Sequence, residues 1–576
     1  MKQVLTALET QENDLSPLSL QRALQRGTGK SYSRQGLSMF WRAGSWLLAL
    51  LLFTPLLALV YEASAPTGEI FAHLRNTVLG TYILNTVLLI LGVGVLGLIL
   101  ALPAAWIMAN CEIPGKRYLQ WLLVLPLAMP SYVVAYIYTD LLEYAGPVQR
   151  LLRDLTGWES AADYFFPDIR SLGGAVIILA LVLYPYLYLL ARTSFLEHSQ
   201  SQMLASRLLG CSPVTSFLRV SIPMARPAIV TGLALMGIET LADFATVDYF
   251  AVPTLTTAVY DTWLGYGSLN AAAKLSAIML VVVMLLILIE SYSRRRQQLY
   301  QRSTGQDHRK ASVLRGWKKA LAIFWCWVPV LLGFLLPAAI LLDYVFRYFS
   351  DSWHQEWLTY SLNSLQVSLA AAISATLVAL FLGLSQRLQN SRFANIPSRL
   401  VATGYALPGN VLAIAVLTPL TLSDHGLNGL IMAFELPPVG LIFSGSIFAI
   451  VFACTVRFSA VAVGSVESSL GRVSPSLDMA SRTLGCKPSE MVRRVHIPMI
   501  HKGLLTGFLL VFIESMKELP ATLLLRPFGF ESLATRVFQF VSDERLEQAA
   551  LAALIMVLAG LVPLILLNRS LEAKQK

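Results

Sequence analysis

Charged residues are scarce in this sequence. Asp, Glu, Lys and Arg make up only 14% of its 576 residues, whereas 56% are hydrophobic and the mean hydropathy is +0.62. Soluble domains carry about 25% charged residues, so the composition excludes a soluble globular protein and predicts an integral membrane protein. Cysteine is also sparse, with five scattered residues and no CxxC pair. An odd and dispersed set argues against a disulfide or zinc framework.

Catalytic patterns are missing as well. The chain has only seven histidines, mostly in loops, and no serine–histidine or metal-hydrolase constellation lies within its apolar segments. We therefore assign no catalytic residue, no metal ligand and no cofactor bound by this chain. The net charge of +10 would suit nucleic acid or anionic lipid, but the bases lie mostly in alternate loops, as the positive-inside rule expects. This pattern predicts membrane lipid as a partner and no nucleic acid.

Long apolar runs fill most of the chain. A run of about 20 residues can span a bilayer, and twelve such runs form two sets of six. They lie near 45–62, 80–109, 119–142, 172–196, 226–250 and 273–293, and then near 319–346, 359–386, 398–422, 436–463, 503–526 and 547–567. The sequence therefore predicts an all-α membrane protein of about twelve transmembrane helices. We expect Pro126, Pro130 and Pro408 to break or kink their spans.

The basic loops set the orientation. The loop between the two sets is the most basic, whereas 423–438, on the opposite side, contains no Lys or Arg. The positive-inside rule then places both termini and the linker in the cytoplasm. The predicted parts are a tail (1–43), a first six-helix domain (44–293), a basic linker (294–316) and a second six-helix domain (317–576).

One loop sequence occurs twice. Residues 204–227, the first loop segment, align with residues 479–502, the second loop segment, at a shift of 275 (480 − 205). Identical residues meet at Ala205, Ser206, Arg207, Leu209, Gly210, Cys211, Pro213, Arg219, Val220, Ile222, Pro223 and Met224. The repeat continues outside the loops, where Asn85 meets Asn363 at a shift of 278. An even number of spans in each half makes this a parallel repeat about an axis along the membrane normal.

Each loop segment is predicted to form a short helix, a glycine turn and a second short helix. Gly210 and Gly485 can adopt the left-handed conformation that ends a helix. Pro213 and Pro488 suit the first turn of the next helix. We expect that helix to end at the following prolines, because proline disrupts a helix interior; these are Pro223 and Pro498.

Acidic residues are the strongest polar signal inside the apolar runs. Glu239 and Asp243 lie four apart, as on one helical face, and their repeat mates are Glu514 and Glu518. A charge at mid-bilayer costs at least about 2.5 kcal/mol, so we expect the four to line the seam between the halves as an oxygen-rich path for a hard cation. The alternative is a structural role, with the acids paired to Lys517 or Arg526 or bonding neighbouring helices.

Three tyrosines surround Pro185 at the end of the fourth apolar run. Aromatic residues gather where a membrane span meets water. We interpret Tyr184, Tyr186 and Tyr188 as part of such an interfacial belt.

The repeated loop resembles the loop by which permease subunits of binding-protein-dependent ABC importers dock their ATPases. That pattern begins Glu-Ala-Ala and continues through a glycine to an apolar residue and a proline. This sequence departs from it at Leu204 and Met479, where the family has glutamate, and at Ser206 and Ser481. By this resemblance the ATPase-docking residues are Ala205, Ser206, Gly210, Phe217, Val220 and Pro223, and Ala480, Ser481, Gly485, Val492, Val495 and Pro498.

The stretches around the acidic residues resemble the ferric-iron branch of that family. The resemblance implies a type I importer permease fold and a multi-pass protein of the bacterial inner membrane. Its partners would be two copies of a separate ATPase, which binds ATP and magnesium, and a periplasmic ferric-binding protein that delivers Fe(III). Importers for thiamine, phosphonate or another small solute remain alternatives within the class. An ion-coupled secondary transporter is the alternative outside it, but it gives the repeated loop no role.

Overall fold

The computed structural model describes residues 31–197, 206, 208–295, 312–353, 355–389 and 393–572. The first half contains α1 (Ser31–Ser64), α2 (Gly68–Thr77), α3 (Leu79–Asn110), α4 (Lys116–Leu122), α5 (Ser131–Leu142), α6 (Pro147–Thr156), α7 (Leu172–Glu197), α8 (Pro213–Ser216), α9 (Ile222–Ala242), α10 (Ala245–Tyr249), α11 (Leu255–Tyr260) and α12 (Leu269–Arg295). Short 3₁₀ turns lie at Leu125–Ala128 and Ala161–Asp163, and π turns at Phe217–Ser221 and Asp261–Gly265.

The second half repeats this order. It contains α13 (Trp317–Val330), α14 (Leu336–Arg347), α15 (Phe349–Ser352), α16 (Glu356–Leu388), α17 (Ile396–Ala402), α18 (Gly409–Ala433), α19 (Ile447–Leu470), α20 (Pro475–Thr483), α21 (Pro488–Met491), α22 (Ile497–Met516), α23 (Pro520–Leu525), α24 (Leu533–Ser542) and α25 (Leu546–Glu572). A 3₁₀ turn lies at Thr403–Ala406, and π turns at Leu331–Leu335 and Val492–His496. The described strands are β1 (Cys111–Glu112) and β2 (Ser312–Val313), which pair in parallel.

The described residues include nine helices long and apolar enough to cross a membrane. Two further candidates are bent pairs, Lys116–Ala128 with Ser131–Thr156 at 92° and Ile396–Ala406 with Gly409–Ala433 at 120°. A shorter apolar helix covers Leu546–Leu561. Together these elements take the places of the twelve predicted runs, which confirms the all-α membrane fold. The two bends fall at Pro130 and Pro408, where breaks were expected.

Two boundary predictions differ from the structure. The run predicted at 436–463 is helical only over Ile447–Leu470. The residues before it form a loop anchored by Asp424, which accepts hydrogen bonds from the Phe443 and Ser444 amides at 2.8 Å each. At the other end of the chain, α1 begins at Ser31, within the predicted tail. Residues 1–30 and 296–311 lie outside the described part, so the division into tail and linker stays a prediction.

The prediction that Pro223 and Pro498 end their helices is wrong. Each proline instead opens a long helix, α9 or α22, directly after a π turn. A proline removes one hydrogen bond of the regular α ladder. The wider π turn fits at that place, since the Ile222 amide bonds five residues back to the Phe217 carbonyl. Each loop segment is therefore continuous with a transmembrane helix.

Matching hydrogen bonds confirm the internal repeat. The Asn85 side chain donates to the Pro253 carbonyl at 2.9 Å, and its mate Asn363 donates to the Glu531 carbonyl at 2.9 Å. Donors and acceptors are both separated by 278 residues (363 − 85 and 531 − 253). The two halves therefore fold back on themselves in the same way.

A second matched pair of hydrogen bonds joins the halves. The Tyr132 hydroxyl donates to the Ala534 carbonyl at 3.4 Å, and the Asn410 side chain donates to the Thr256 carbonyl at 3.0 Å. These residues are also related by 278 (410 − 132 and 534 − 256). These two contacts across the interface are thus related by the internal repeat.

The first helix of each half crosses to the other half. Helix α1 packs on α17 and α18, and the Thr418 hydroxyl donates to its Glu62 carboxylate at 3.1 Å. In the matching place, α14 packs on α5, and the Tyr344 hydroxyl donates to Asp140 at 2.5 Å. The two buried hydrophobic clusters each contain residues of both halves. This exchange interlocks the halves around their interface.

Candidate functional site

The second loop segment is built on a glycine turn. Gly485 has a φ of +81°, and the turn carries the two hydrogen bonds of a Schellman motif, Cys486 amide to Ser481 carbonyl at 3.0 Å and Gly485 amide to Arg482 carbonyl at 3.1 Å. A left-handed residue is favourable mainly for glycine. The expected helix–glycine–helix shape is therefore present, between α20 and α21.

The first loop segment has the same turn. Gly210 has a φ of +83°, and the Cys211 amide donates to the Ser206 carbonyl at 3.0 Å. The buried Ser206 hydroxyl lies 2.7 Å from the Ser216 hydroxyl, which ties the turn to α8. Ala205 lies outside the described residues, and its role stays a prediction.

Exposed apolar side chains lie at the tips of both turns, and they are not among the predicted docking residues. The exposed fractions are 88% for Leu208, 85% for Leu209 and 83% for Leu484. Exposed apolar side chains at the tip of a polar loop suit a protein contact. The sequence did signal two of them, because Leu209 and Leu484 are identical repeat mates within basic segments.

Helix α20, which leads into the second loop segment, is anchored to α16 by Arg387. This guanidinium bonds the Asp478 carboxylate at 2.8 Å and the Leu470 and Val473 carbonyls at 2.6 and 2.8 Å. The other Asp478 oxygen lies 2.9 Å from Nε2 of the buried His496, in the π turn. Burial alone would raise the pKa of Asp478, but its bonds with Arg387 and His496 outweigh this and lower the pKa. The carboxylate is therefore ionised at neutral pH.

The four predicted acidic residues lie around one central cavity. Its volume is about 120 Å³, and it lies where the broken span around Pro130, helix α7, the ends of α9 and α22, and the middle of α19 meet. The lining residues are Leu127, Met129, Pro130, Ser131, Tyr132, Val182, Leu183, Tyr186, Glu239, Ala242, Asp243, Phe244, Ala245, Arg457, Phe458, Glu514, Lys517, Glu518, Leu519 and Pro520.

The geometry of the acids differs from the expected helical face. Helix α9 ends at Ala242, so Asp243 caps it in an extended conformation, with ψ near 99°. Likewise α22 ends at Met516, before Glu518. The chain unwinds at these points, so Asp243 and Glu518 reach the cavity from irregular backbone, whereas Glu239 and Glu514 lie in the last turns of α9 and α22. A role as a substrate path stays a prediction.

Each acid has a polar partner. Arg457 Nη1 lies 2.7 Å from Glu518, and its Nη2 lies 3.9 Å from Glu239. Lys517 lies 3.6 Å from Glu514, whereas Arg526 pairs with Glu531 instead. Asp243 accepts hydrogen bonds from the Ser131 hydroxyl and, at 2.8 Å, from the Thr246 amide. The structural role considered for the acids is thus present alongside the shared cavity.

Bonds across the cavity join the two halves. The Tyr405 hydroxyl of the second half donates to Glu239 of the first half at 2.7 Å, beside the Arg457–Glu239 contact. Lys517 also donates to the Leu127 carbonyl at 3.1 Å. Any path through the cavity must therefore pass groups that hold the halves together.

The interfacial-belt interpretation of the tyrosines is wrong. Tyr184 and Tyr188 are fully buried, and the Tyr184 hydroxyl donates to the Leu123 carbonyl at 2.8 Å. Tyr186 lines the central cavity. A tyrosine can be buried when its hydroxyl finds a partner, which the sequence alone does not reveal.

Comparison with known proteins assigns the family. A family model described as "Binding-protein-dependent transport system inner membrane component" matches residues 97–302 and again 375–576. The chain belongs to this family. Each half thus carries one copy of the permease domain, and the chain is a multi-pass membrane transport component. Membership implies an ABC importer with ATPase and binding-protein partners.

Individual relatives differ in the solute that their names state. The chain is 25% identical to the Fe(3+)-transport system permease protein FbpB 2 of Haemophilus influenzae, over 84% of this chain and 89% of the relative. It is 24% identical to the putative 2-aminoethylphosphonate permease PhnV of Salmonella typhimurium, over 36% of this chain and 74% of the relative. The molybdenum permease ModB of Escherichia coli is 28% identical, over 34% and 86%.

The acids of this permease follow the repeat, but the bases do not. The mate of Arg457 is Val182 (457 − 275), and the mate of Lys517 is Ala242 (517 − 275); both mates line the same cavity. The first half therefore supplies two acids, whereas the second supplies two acids and both bases. Arg457 was missed because it is a single charge within an apolar run.

A glycine makes room for the ion pair. Gly409 of the second half is the mate of Ser131 (409 − 278). A Cβ at 409 would collide with the Glu518 carboxylate and lie 3.1 Å from Arg457 Nη1. In the first half the Ser131 side chain fills this place and bonds Asp243. The second half thus has the Arg457–Glu518 ion pair where the first half has the Ser131–Asp243 hydrogen bond.

We expect Gly409→Ala to destabilise the permease by about 1–3 kcal/mol, the usual cost of overpacking. The added methyl group would displace the Arg457–Glu518 pair. Thermal denaturation in detergent measures the effect. Gly426→Ala is the matched control, since it lies on the same helix with nothing within 4 Å of an added Cβ. Equal stability of the two variants would contradict the packing account.

Asp478→Asn should destabilise the second loop segment by about 1–3 kcal/mol, because it leaves Arg387 without its partly buried charged partner. Limited proteolysis within 475–496 at pH 7 measures this. Since the folded pKa of Asp478 lies below the ordinary 3.8, the advantage of the native residue is complete at pH 7 and lost only as the pH falls below about 4. The control is Glu490→Gln, which removes an exposed pair with Arg494 and should cost under about 1 kcal/mol. Equal protease sensitivity would refute the anchoring role.

Proposed function

We propose that this chain is the permease of an ATP-driven importer that moves ferric iron into the bacterial cytoplasm. Two ATPase subunits bind the two loop segments, and a periplasmic ferric-binding protein delivers the metal on the opposite side. The central cavity is the point at which the path opens and closes. The observation that carries this proposal is the physical continuity between each loop segment and the acids of the cavity.

That continuity makes each loop segment the end of a lever. In the second half the chain runs without interruption from α21 through the π turn and α22. Glu514 lies 17 residues beyond Ile497, which is about 26 Å along a helix. The first half has the same arrangement, with Glu239 near the end of α9. A movement of the bound ATPases would reach the cavity through one rigid element on each side.

The cavity is suited to a two-state seal. Opening it between the halves requires Glu239 to part from Tyr405 and Arg457, and Lys517 to part from the Leu127 carbonyl. Buried polar groups lose their partners only at a cost of about 1–3 kcal/mol each. ATP-driven separation supplies that cost, and the polar partners close the path again afterwards.

Ferric iron is the cargo that the sequence relationships favour. The similarity to FbpB 2 extends over both halves, whereas the matches to PhnV and ModB each cover about a third of the chain. Four carboxylates around one cavity also suit a hard cation. Among the described residues no group of three or more His, Cys, Asp or Glu side chains forms a metal-binding cluster.

An oxyanion is the second candidate. Arg457 and Lys517 bring two positive charges to the cavity, and the Nε atom of Arg457 is buried without a hydrogen-bond partner among the described residues. Guanidinium groups bind oxyanions such as phosphonates well. This reading would align the chain with the solutes named for PhnV and ModB.

Uptake into proteoliposomes tests the cargo. The vesicles contain the permease, its ATPase and its binding protein, with ATP inside, and radioactive Fe(III), molybdate, 2-aminoethylphosphonate or thiamine is offered in turn. We expect ATP-dependent uptake of Fe(III) alone. Uptake of molybdate or phosphonate without Fe(III) would overturn the iron proposal and favour the oxyanion. Uptake driven by an ion gradient without ATP would overturn the importer itself.

Glu239→Gln combined with Glu514→Gln should reduce Fe(III) uptake at least tenfold, because both halves then lose a cavity carboxylate. ATPase binding should be unchanged, since the loop segments are intact. Glu69→Gln on α2, outside the cavity lining, is the control. Full uptake by the double variant would assign these acids to structure alone.

Gly210→Asp combined with Gly485→Asp should abolish recovery of the ATPase with the permease. Both turns have positive φ, where a side chain costs about 1–2 kcal/mol per residue, and the new charge lies beside the exposed leucines. Gly440→Asp is the matched control, with a φ of +83° in a loop on the opposite side. The measurement is affinity co-purification from membranes. Normal ATPase recovery with the double variant would refute docking at these turns.

A further inference from the structure

A second cavity lies beside the second loop segment, between α19 and α22. Its volume is about 390 Å³, and its lining includes Arg472, Lys502, Ser468 and Ser469 but no acidic residue. None of these four side chains has a hydrogen-bond or ion-pair partner in the part of the chain that the structure describes. The nearby Glu467 does not line this cavity. The cavity thus collects unpaired donors and a net positive charge.

The cavity has a polar end and an apolar end. The bases and serines lie towards the loop segment, and Val461 and Leu510 lie at the other end, deeper in the helix pair. Eight residues separate Val461 from Ser469 on α19, and eight separate Lys502 from Leu510 on the antiparallel α22. Both intervals correspond to about 12 Å. A ligand filling this cavity needs an anionic head and an apolar continuation.

The two bases of this cavity are not repeated in the first half. The mate of Arg472 is Glu197 (472 − 275), and the mate of Lys502 is Pro227 (502 − 275). At the matching positions the first half thus has an acid in place of one base and a proline in place of the other. Helices α19 and α22 pack tightly, since a Cβ on Gly503 would collide with Ser469, and this fixes the backbone on either side of the cavity.

We propose that this cavity binds an anionic phospholipid, with its phosphate between Arg472 and Lys502 and its acyl chains along Val461 and Leu510. Basic pockets between transmembrane helices on the cytoplasmic side suit such headgroups. Only the choice of leaflet rests on the proposed orientation. Because α22 joins the second loop segment to the central cavity, the bound lipid would brace the lever of the second half.

Native mass spectrometry of the purified full chain in detergent tests this without ATPase or cargo. Phosphatidylglycerol and phosphatidylcholine with the same acyl chains are added separately. We expect phosphatidylglycerol to bind more tightly than phosphatidylcholine. Arg472→Gln combined with Lys502→Gln should weaken phosphatidylglycerol binding about thirtyfold, because each base near an anionic surface raises the affinity about fivefold. Arg472→Lys with Lys502→Arg should keep the binding.

Arg226→Gln, on the matching helix of the first half, is the control and should leave the affinity unchanged. Equal phosphatidylglycerol affinity for the double glutamine variant and the native chain would overturn the site, as would equal affinity for the two lipids. Displacement of the lipid by millimolar inorganic phosphate would overturn the lipid assignment in favour of a soluble phosphate. Because transport plays no part in this measurement, its failure is distinct from failure of the importer proposal.

Discussion

A buried arginine at the interface of the halves constrains much of the structure. Arg457 lies midway along an apolar helix with only 5% of its surface exposed, where an uncompensated charge costs several kcal/mol. Glu518 of the same half and Glu239 of the other half neutralise it. The pair needs space, which Gly409 provides, and Glu518 reaches Arg457 from the unwound chain that follows α22. The glycine at 409, the end of α22 and the contact with the other half all serve to keep the buried Arg457 charge paired.

The rest of the interface is built from a repeated scaffold. Asn85 and Asn363 make equivalent hydrogen bonds within their own halves. Tyr132 and Asn410 make equivalent hydrogen bonds to the opposite half. The crossing of α1 and α14 adds an outer lock on each side. The charges around the central cavity are free to differ between the halves, because these repeated bonds already fix how the halves meet. The central cavity can therefore hold different charges from its two sides.

Much of this was predictable from sequence, for identifiable reasons. The repeat, the bends at Pro130 and Pro408 and the turns at Gly210 and Gly485 follow from local backbone chemistry, which a single chain reveals. The prediction that Pro223 and Pro498 end their helices was wrong, because a π turn before each proline accommodates it at the start of a longer helix. Arg457 was missed because it is a single charge within an apolar run, and its partners lie on segments distant in sequence. Placing an arginine within a membrane span costs free energy. Its presence in a predicted span could therefore have suggested that Arg457 pairs with the acids.

The uneven charges of the central cavity also bear on why the two halves share one chain. Two copies of the first half would bring four carboxylates together with no base, and two copies of the second would bring four carboxylates with four bases. Only the mixed pair yields four acids with two bases. Covalent fusion delivers that combination in every molecule, at a fixed ratio and independent of how much protein is made. The duplicated halves have become complementary parts that can no longer replace each other.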